Sequence, residues 1–215
     1  MCLIIFSPTG CIPKTHLKRG LKANPDGWGY MFSHAGKLVV RKGMEPKAFW
    51  HAWKADGKGK GLGPVVWHAR LGNTGTIDEG NCHPFPVKGH GLAVAHNGTI
   101  HRHVPGKGIE QNDTQLFIAE ILEKLPKGFL YSEVTLKLLS VYIGRSKLAF
   151  MDAEGNVEII NEDLGDWYGG RWYSNDGWMP EEEEEAPKAV QTGANDGYTL
   201  YDEGGRFVWR CPGLD

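Results

Sequence analysis

Met1-Cys2-Leu3-Ile4-Ile5-Phe6 opens the chain, and the turn-forming Ser7-Pro8-Thr9-Gly10 closes that stretch. The apolar run Leu3–Phe6 reads as a short buried strand. If Met1 is removed, Cys2 carries a thiol and a free α-amine on one residue. A thiolate is the strongest nucleophile among side chains, and an α-amine titrates near neutrality and can relay its proton. The plainer reading makes Cys2 a small buried residue near a frayed end, since free cysteine is among the most buried residue types. Deciding between the two requires the rest of the chain.

The sequence has 215 residues, 40% of them apolar and 23% charged, with a net charge of −2. That is the composition of a soluble globular protein with one domain, or one domain and an appendage. A near-neutral balance draws the chain to neither nucleic acid nor anionic membrane, and no apolar run reaches spanning length. The N-terminus lacks a basic region before its apolar run, so no signal peptide is expected. Cys2, Cys11, Cys82 and Cys211 form no CxxC pair. Reducing cytoplasm is the expected compartment.

Regular elements follow from local pattern. Tyr30–Ser33 and Lys37–Lys42 read as a hairpin, Pro46–Lys54 as a short helix, and residues 11–23 as a loop or short helix. Pro64–Arg70 and Gly91–His96 read as strands, separated by residues 71–91 without regular period. A helix with apolar Leu116, Phe117, Ile118, Ile121, Leu122 and Leu125 is capped by Asn112 or Asp113. A second helix spans Ser132–Tyr142. Lys147–Asp152 and Val157–Asn161 form another hairpin, and Trp172–Asn175 a last strand. Glu181–Glu185 reads as a solvated linker. Beyond it, Tyr198–Tyr201 and Arg206–Arg210 pair as a hairpin that needs a surface to lie on.

Four separated stretches share a chemical theme: Cys2, His68-Ala69-Arg70, His96-Asn97-Gly98 and Asn112-Asp113-Thr114. A guanidinium at Arg70 can clamp a carboxylate with two parallel hydrogen bonds. Asp113 can hold an ammonium. Asn97 and the Gly98 N–H can stabilise a developing oxyanion. Together with a thiol, these groups describe a site for an amino acid bearing a side-chain amide. Each piece also has a plain reading. Arg70 can be a surface ion pair, Asp113 only a helix cap, and Asn97-Gly98 a tight hairpin turn or an unused Asn-Gly-Thr acceptor. The glycines flanking Trp28 suggest backbone lying close against something else. His83, His90, His96, His101 and His103 crowd one region but fit no standard zinc spacing, so no metal is expected. The tryptophans Trp50, Trp53, Trp167, Trp172 and Trp178 suit core or rim packing better than base stacking.

The ordered set of motifs resembles the glutaminase domain of class II glutamine amidotransferases, members of the N-terminal nucleophile hydrolases. The resemblance covers residues 2–175. It rests on Met-Cys-x-Ile at the start, Pro-Asp-Gly-Trp-Gly at 25–29, His-x-Arg at 68–70, Asn-x-His-Pro-Phe at 81–85, Asn97-Gly98 and Asp113-Thr114. It implies an α+β fold, a four-layer αββα sandwich, here with a small C-terminal hairpin appendage. The implied division is a glutaminase domain over 2–180, an acidic linker over 181–195 and a hairpin over 196–215. The implied reaction releases ammonia from L-glutamine through a thioester on Cys2, with Asn97 and Gly98 as the oxyanion pair and no cofactor. Arg70 and Asp113 would bind the two charged ends of the substrate. Gly27 and Trp28 would border its pocket, and Thr74 and His96 complete the substrate-binding set. Gly72-Asn73-Thr74-Gly75 departs from the family's Ala-Thr-x-Gly, and Cys82 is expected to be inert. Family members commonly carry a second domain that uses the ammonia, so a synthetase or ligase in trans is the expected partner. Hydrolysis of another amide, or non-catalytic glutamine binding, are the competing expectations.

Overall fold

A computed structural model describes residues 2–57 and 63–179, with the backbone of two further strands at 199–202 and 207–210. Two antiparallel sheets lie face to face between helical layers, which makes the fold α+β with four layers. The first sheet has six strands. In spatial order they are β3 (Lys37–Gly43), β2 (Trp28–His34), β4 (Val65–Ala69), β1 (Leu3–Ser7), β10 (Arg171–Tyr173) and β9 (Asp166–Tyr168). The second runs β5 (Phe85–Val87), β6 (Leu92–Asn97), β7 (Lys147–Asp152) and β8 (Val157–Ile160). Helices α1 (Lys14–Ala23) and α2 (Pro46–Ala55) cover the first sheet; α3 (Asp113–Glu120) and α4 (Glu133–Ile143) cover the second.

Strand side chains alternate between faces, so each sheet feeds two cores. Leu3, Ile5, Tyr30, Val65 and Trp67 pack outward with Leu17, Phe49 and Trp53 of the helices. Ile4, Met31 and Val66 turn inward and meet Ala93, Ala95, Ala149 and Met151 of the second sheet. Val94, Leu148 and Phe150 pack outward against Phe117, Ile118, Leu139 and Ile143. Three apolar fillings separate four layers, and the run Leu3–Ile5 is continuous because both its faces are covered. In the inner filling the three alanines of the second sheet leave room for the larger Ile4, Met31, Val66 and Trp172 of the first.

Several local expectations hold. Ser132 caps α4 by accepting from the Thr135 N–H. Of residues 11–23, Lys14–Ala23 form α1 and 11–13 lead into it. Two short strands escaped the sequence reading: β5 has three residues with Pro86 in the middle, and β9 is three exposed residues at the sheet edge. The hairpin beyond the linker exists as β11 (Thr199–Asp202) and β12 (Phe207–Arg210), paired antiparallel. The linker expected at 181–195 lies outside the described residues. Among the described residues, no helix is long and apolar enough to cross a membrane.

Candidate active site

The site grows out of the strand register. Leu3 pairs with Ala69, and Trp28 pairs with the same Ala69 from the other side. One step further along the antiparallel ladders, Cys2 and Gly27 both come level with Arg70. The hydrogen bonds agree: the Arg70 N–H donates to the Gly27 carbonyl at 2.8 Å, and the Leu71 N–H donates to Cys2 Sγ at 3.3 Å. By alternation Cys2 and Arg70 continue the inward face of the first sheet, and Asn97 the inward face of the second. The candidate site is thus one end of the seam between the sheets.

Cys2 is buried, with 9% of its surface exposed. Burial pushes its thiol up from the ordinary value. The Leu71 N–H, the chain's amino terminus and the Arg70 charge pull the other way, less strongly. A thiol in that state needs a base to become a nucleophile.

Arg70 is 2% exposed, so it is no surface ion pair. Its Nη2 donates to the carbonyls of Thr74 and Thr76 at 3.1 and 3.0 Å, which fixes the guanidinium plane. Its Nη1 is buried without a partner among the described residues. A buried guanidinium donor left unpaired is costly, and an anion there removes the cost.

Asp113 is not the cap of α3. That role belongs to Asn112, whose side chain accepts from the Gln115 N–H while Gln115 reaches back to the Asn112 N–H. The Asp113 carboxylate instead accepts from the Ile100 N–H at 2.7 Å and from the Thr74 hydroxyl at 2.9 Å. Thr74 therefore touches both charged groups, with its carbonyl on Arg70 and its hydroxyl on Asp113. Each carboxylate oxygen keeps a further lone pair for a cation.

Asn97-Gly98 is no hairpin turn, because β6 pairs with β7, which begins 50 positions later at Lys147. Gly98 has φ +138°, and a Cβ there would collide with Ser146. Only glycine takes that conformation without strain. Asn97 Nδ2 donates to Ser174 Oγ at 2.7 Å, and the same hydroxyl accepts the Ile4 N–H at 2.8 Å. The second Nδ2 hydrogen is left for another acceptor.

Gly27 and Trp28 behave differently from each other. A Cβ on Gly27 would strike Cys82 Sγ, and one on Gly29 would strike the His83 carbonyl. The close approach read from these glycines is thus to the Cys82-His83 segment. The Trp28 ring points the other way, into the outer core, where it lies against Phe49 and donates to the Glu45 carbonyl. Cys82 is fully buried and its thiol is pushed up to about 11 by burial, which keeps it protonated and unreactive.

His96 also faces away from the seam, toward α3. Its Nδ1 lies 2.7 Å from Thr114 Oγ1, and His83 Nε2 lies 3.1 Å from the same oxygen. His68 reaches across the seam, its Nε2 3.1 Å from the His96 carbonyl. Burial lowers all three imidazoles: His68 to about 3, His96 to about 4, and His83 well below its ordinary value. They are neutral cross-ties under the site. No cluster of metal-binding side chains occurs among the described residues.

Sequence reasoning missed Ser174 and Asn175, and quoted Asp26 and Thr114 in their motifs without giving them a role. Asn175 donates to the Cys2 carbonyl at 2.6 Å, and Asp26 accepts the Gly72 N–H at 2.8 Å. Asp26 and Thr114 carried a local signal, their places in Pro-Asp-Gly and Asp-Thr. The others are distant in sequence from what they hold.

A buried thiol, a half-satisfied guanidinium, a carboxylate and an amide thus lie together at one end of a four-layer sandwich. The chain belongs to the class II glutamine amidotransferases, whose family model matches residues 6–159. Among solved structures it resembles the glutamine phosphoribosylpyrophosphate (PRPP) amidotransferase from B. subtilis complexed with ADP and GMP. That match has 16% identity and a TM-score of 0.52, over 80% of this chain and 41% of that one. A structure described as the allosteric regulatory enzyme of purine biosynthesis aligns with 15% identity and a TM-score of 0.48, over 80% and 41% of the two chains. This chain spans about two-fifths of the length of either. No curated protein matches it.

Proposed function

We propose that this chain is a glutaminase: it hydrolyses the side-chain amide of L-glutamine to glutamate and ammonia, which a separate synthetase or ligase consumes. The observation that carries this reading is the pairing of Arg70 and Asp113 through Thr74. A guanidinium with an unpaired buried nitrogen and a carboxylate with spare lone pairs, held at a fixed separation, suit the carboxylate and ammonium of one free amino acid. That pairing favours glutamine over amides lacking either charge.

In this reading Cys2 Sγ attacks the amide carbon, and its proton passes to the α-amine that Met1 removal frees. The carbonyl oxygen becomes an oxyanion held by Asn97 Nδ2 and the Gly98 N–H. Collapse breaks the C–N bond, the amine returns a proton to the departing nitrogen, and ammonia leaves. Water then adds to the thioester, and glutamate departs as the thiol reforms. Gly27 lines the pocket with backbone, and Trp28 contributes through its main chain. Thr74 spaces the two clamps, and His96 acts from beneath through Thr114. The reaction requires no cofactor. We assign residues 2–180 to this unit, with the linker and hairpin appended.

The test is ammonia release from L-glutamine by protein whose Met1 has been verified as removed, with Cys2→Ala beside it. Wild-type protein should release ammonia and glutamate in equal amounts, and Cys2→Ala should lose turnover by orders of magnitude. No glutamine-dependent ammonia from wild type, or full activity in Cys2→Ala, overturns the assignment.

A further inference from the structure

Helix α4 has two apolar faces. One carries Leu139 and Ile143, buried in the core against the second sheet. The opposite face carries Val134, Leu138 and Val141, which are 69%, 65% and 82% exposed. Tyr131, in the turn just before the helix, is 83% exposed and extends the row. Within the helix the spacing runs four then three, which is the repeat that packs one helix against another along a straight seam. A helix that only covers a sheet needs a single stripe, and its outer face is ordinarily polar.

We propose that this face is the interface between two copies of the chain, with α4 packed antiparallel against α4 of the second copy. The self-complementarity of the helix points to that occupant. With the two-fold axis near Leu136, Tyr131 meets Val141 of the second copy and Val134 meets its Leu138. The exposed Glu133 and Lys137 flank the row on one side. The same axis brings Glu133 beside Lys137 of the second copy, twice by symmetry. A parallel arrangement would instead put this flank on opposite sides of the seam in the two copies, and the Glu133–Lys137 pairing would be lost. Antiparallel packing also opposes the helix dipoles. The row removes on the order of 500 Å² per copy from water, less than the roughly 800 Å² per partner of a stable complex, so the dimer dilutes apart at low concentration.

Sedimentation velocity on the full chain, from about 1 μM to about 300 μM, covers the range in which such an interface forms. Wild type should pass from monomer to dimer, and Leu138→Glu should stay monomeric throughout. Glu133→Lys and Lys137→Glu should each weaken association by about tenfold, and the double reversal should restore it. All three positions changed are solvent-exposed, so circular dichroism should stay at wild type. A wild type that is monomeric at every concentration overturns the proposal, including the case in which the C-terminal segment covers the row. So does a dimer that survives Leu138→Glu, or a double reversal that fails to recover. These readouts are independent of glutamine turnover.

Discussion

Ser174, just past β10 of the first sheet, and Asn97, at the end of β6 of the second, are 77 positions apart and share a 2.7 Å hydrogen bond at the end of the seam. The Ser174 hydroxyl also takes the Ile4 N–H, so one oxygen ties strand β1, which begins just after Cys2, to the amide proposed for the oxyanion. Ser174→Ala leaves both donors without that acceptor. Stability should fall by about 1–3 kcal/mol, as for a buried polar group left unpaired. With Asn97 free to rotate, kcat for glutamine should drop about tenfold while KM stays near wild type. An unchanged kcat in a folded Ser174→Ala protein would detach Asn97 from the chemistry.

Arg70→Lys keeps the charge and loses the fork that holds the Thr74 and Thr76 carbonyls. kcat/KM for glutamine should fall about a hundredfold, with smaller loss for an amide substrate that has no free carboxylate. Asp113→Asn should show the matching selectivity for the ammonium end. Equal losses on both kinds of substrate would assign these residues to folding alone.

Cys2 should be a slow thiol with a steep pH response. Burial raises its pKa, so only a small fraction is thiolate at neutral pH. The rate of alkylation by iodoacetamide should climb with pH and reach no plateau below about pH 9 while Met1 is retained. Removing Met1 should raise the neutral-pH rate. A plateau near pH 7 with Met1 in place would contradict the buried environment described for this sulfur.

Acid should weaken the fold before its carboxylates titrate. His68, His83 and His96 have native pKa values depressed by burial, against about 6.5 when unfolded. Below pH 6.5 the unfolded chain binds protons that the native state refuses, so stability falls as pH falls. The contribution is complete above pH 6.5 and is lost progressively toward pH 4. Three such groups give a limiting slope of about 4 kcal/mol per pH unit. Urea unfolding at pH 7, 6 and 5 measures it, and a flat profile would mean that the rings titrate in the native state as they do in the unfolded chain.

The sequence showed more of the elements than of their directions. The N-terminal strand, both hairpins of the sandwich and the helix after Asn112 were readable because turns and apolar periods punctuate them. Which face each strand side chain took was not readable, because Leu3, Ile4 and Ile5 are equally apolar and both faces are covered. Asn112 and Asp113 are both good caps, so only the hydrogen bonds show that Asn112 caps and Asp113 is spared. The Trp28 side chain takes the outward face while Gly27 stays by Arg70, a consequence of strand alternation one residue from the motif's centre. Ser174 and Asn175 had no local signature, since their partners lie some 170 positions earlier.

The single hydroxyl at Thr114 has a consequence for its two neighbours. It has one hydrogen, and it sits between His83 Nε2 and His96 Nδ1. Among the described residues its hydrogen has no acceptor other than these two nitrogens, so with both rings neutral it donates to one and accepts from the other. If it donates to His96, both rings carry their hydrogen on Nε2; if it donates to His83, both carry it on Nδ1. The two imidazoles therefore share one tautomeric state and can exchange it only together. Nitrogen-15 spectra of the labelled histidines would report this as a pair of resonances switching in concert, a two-position register set one residue away from Asp113.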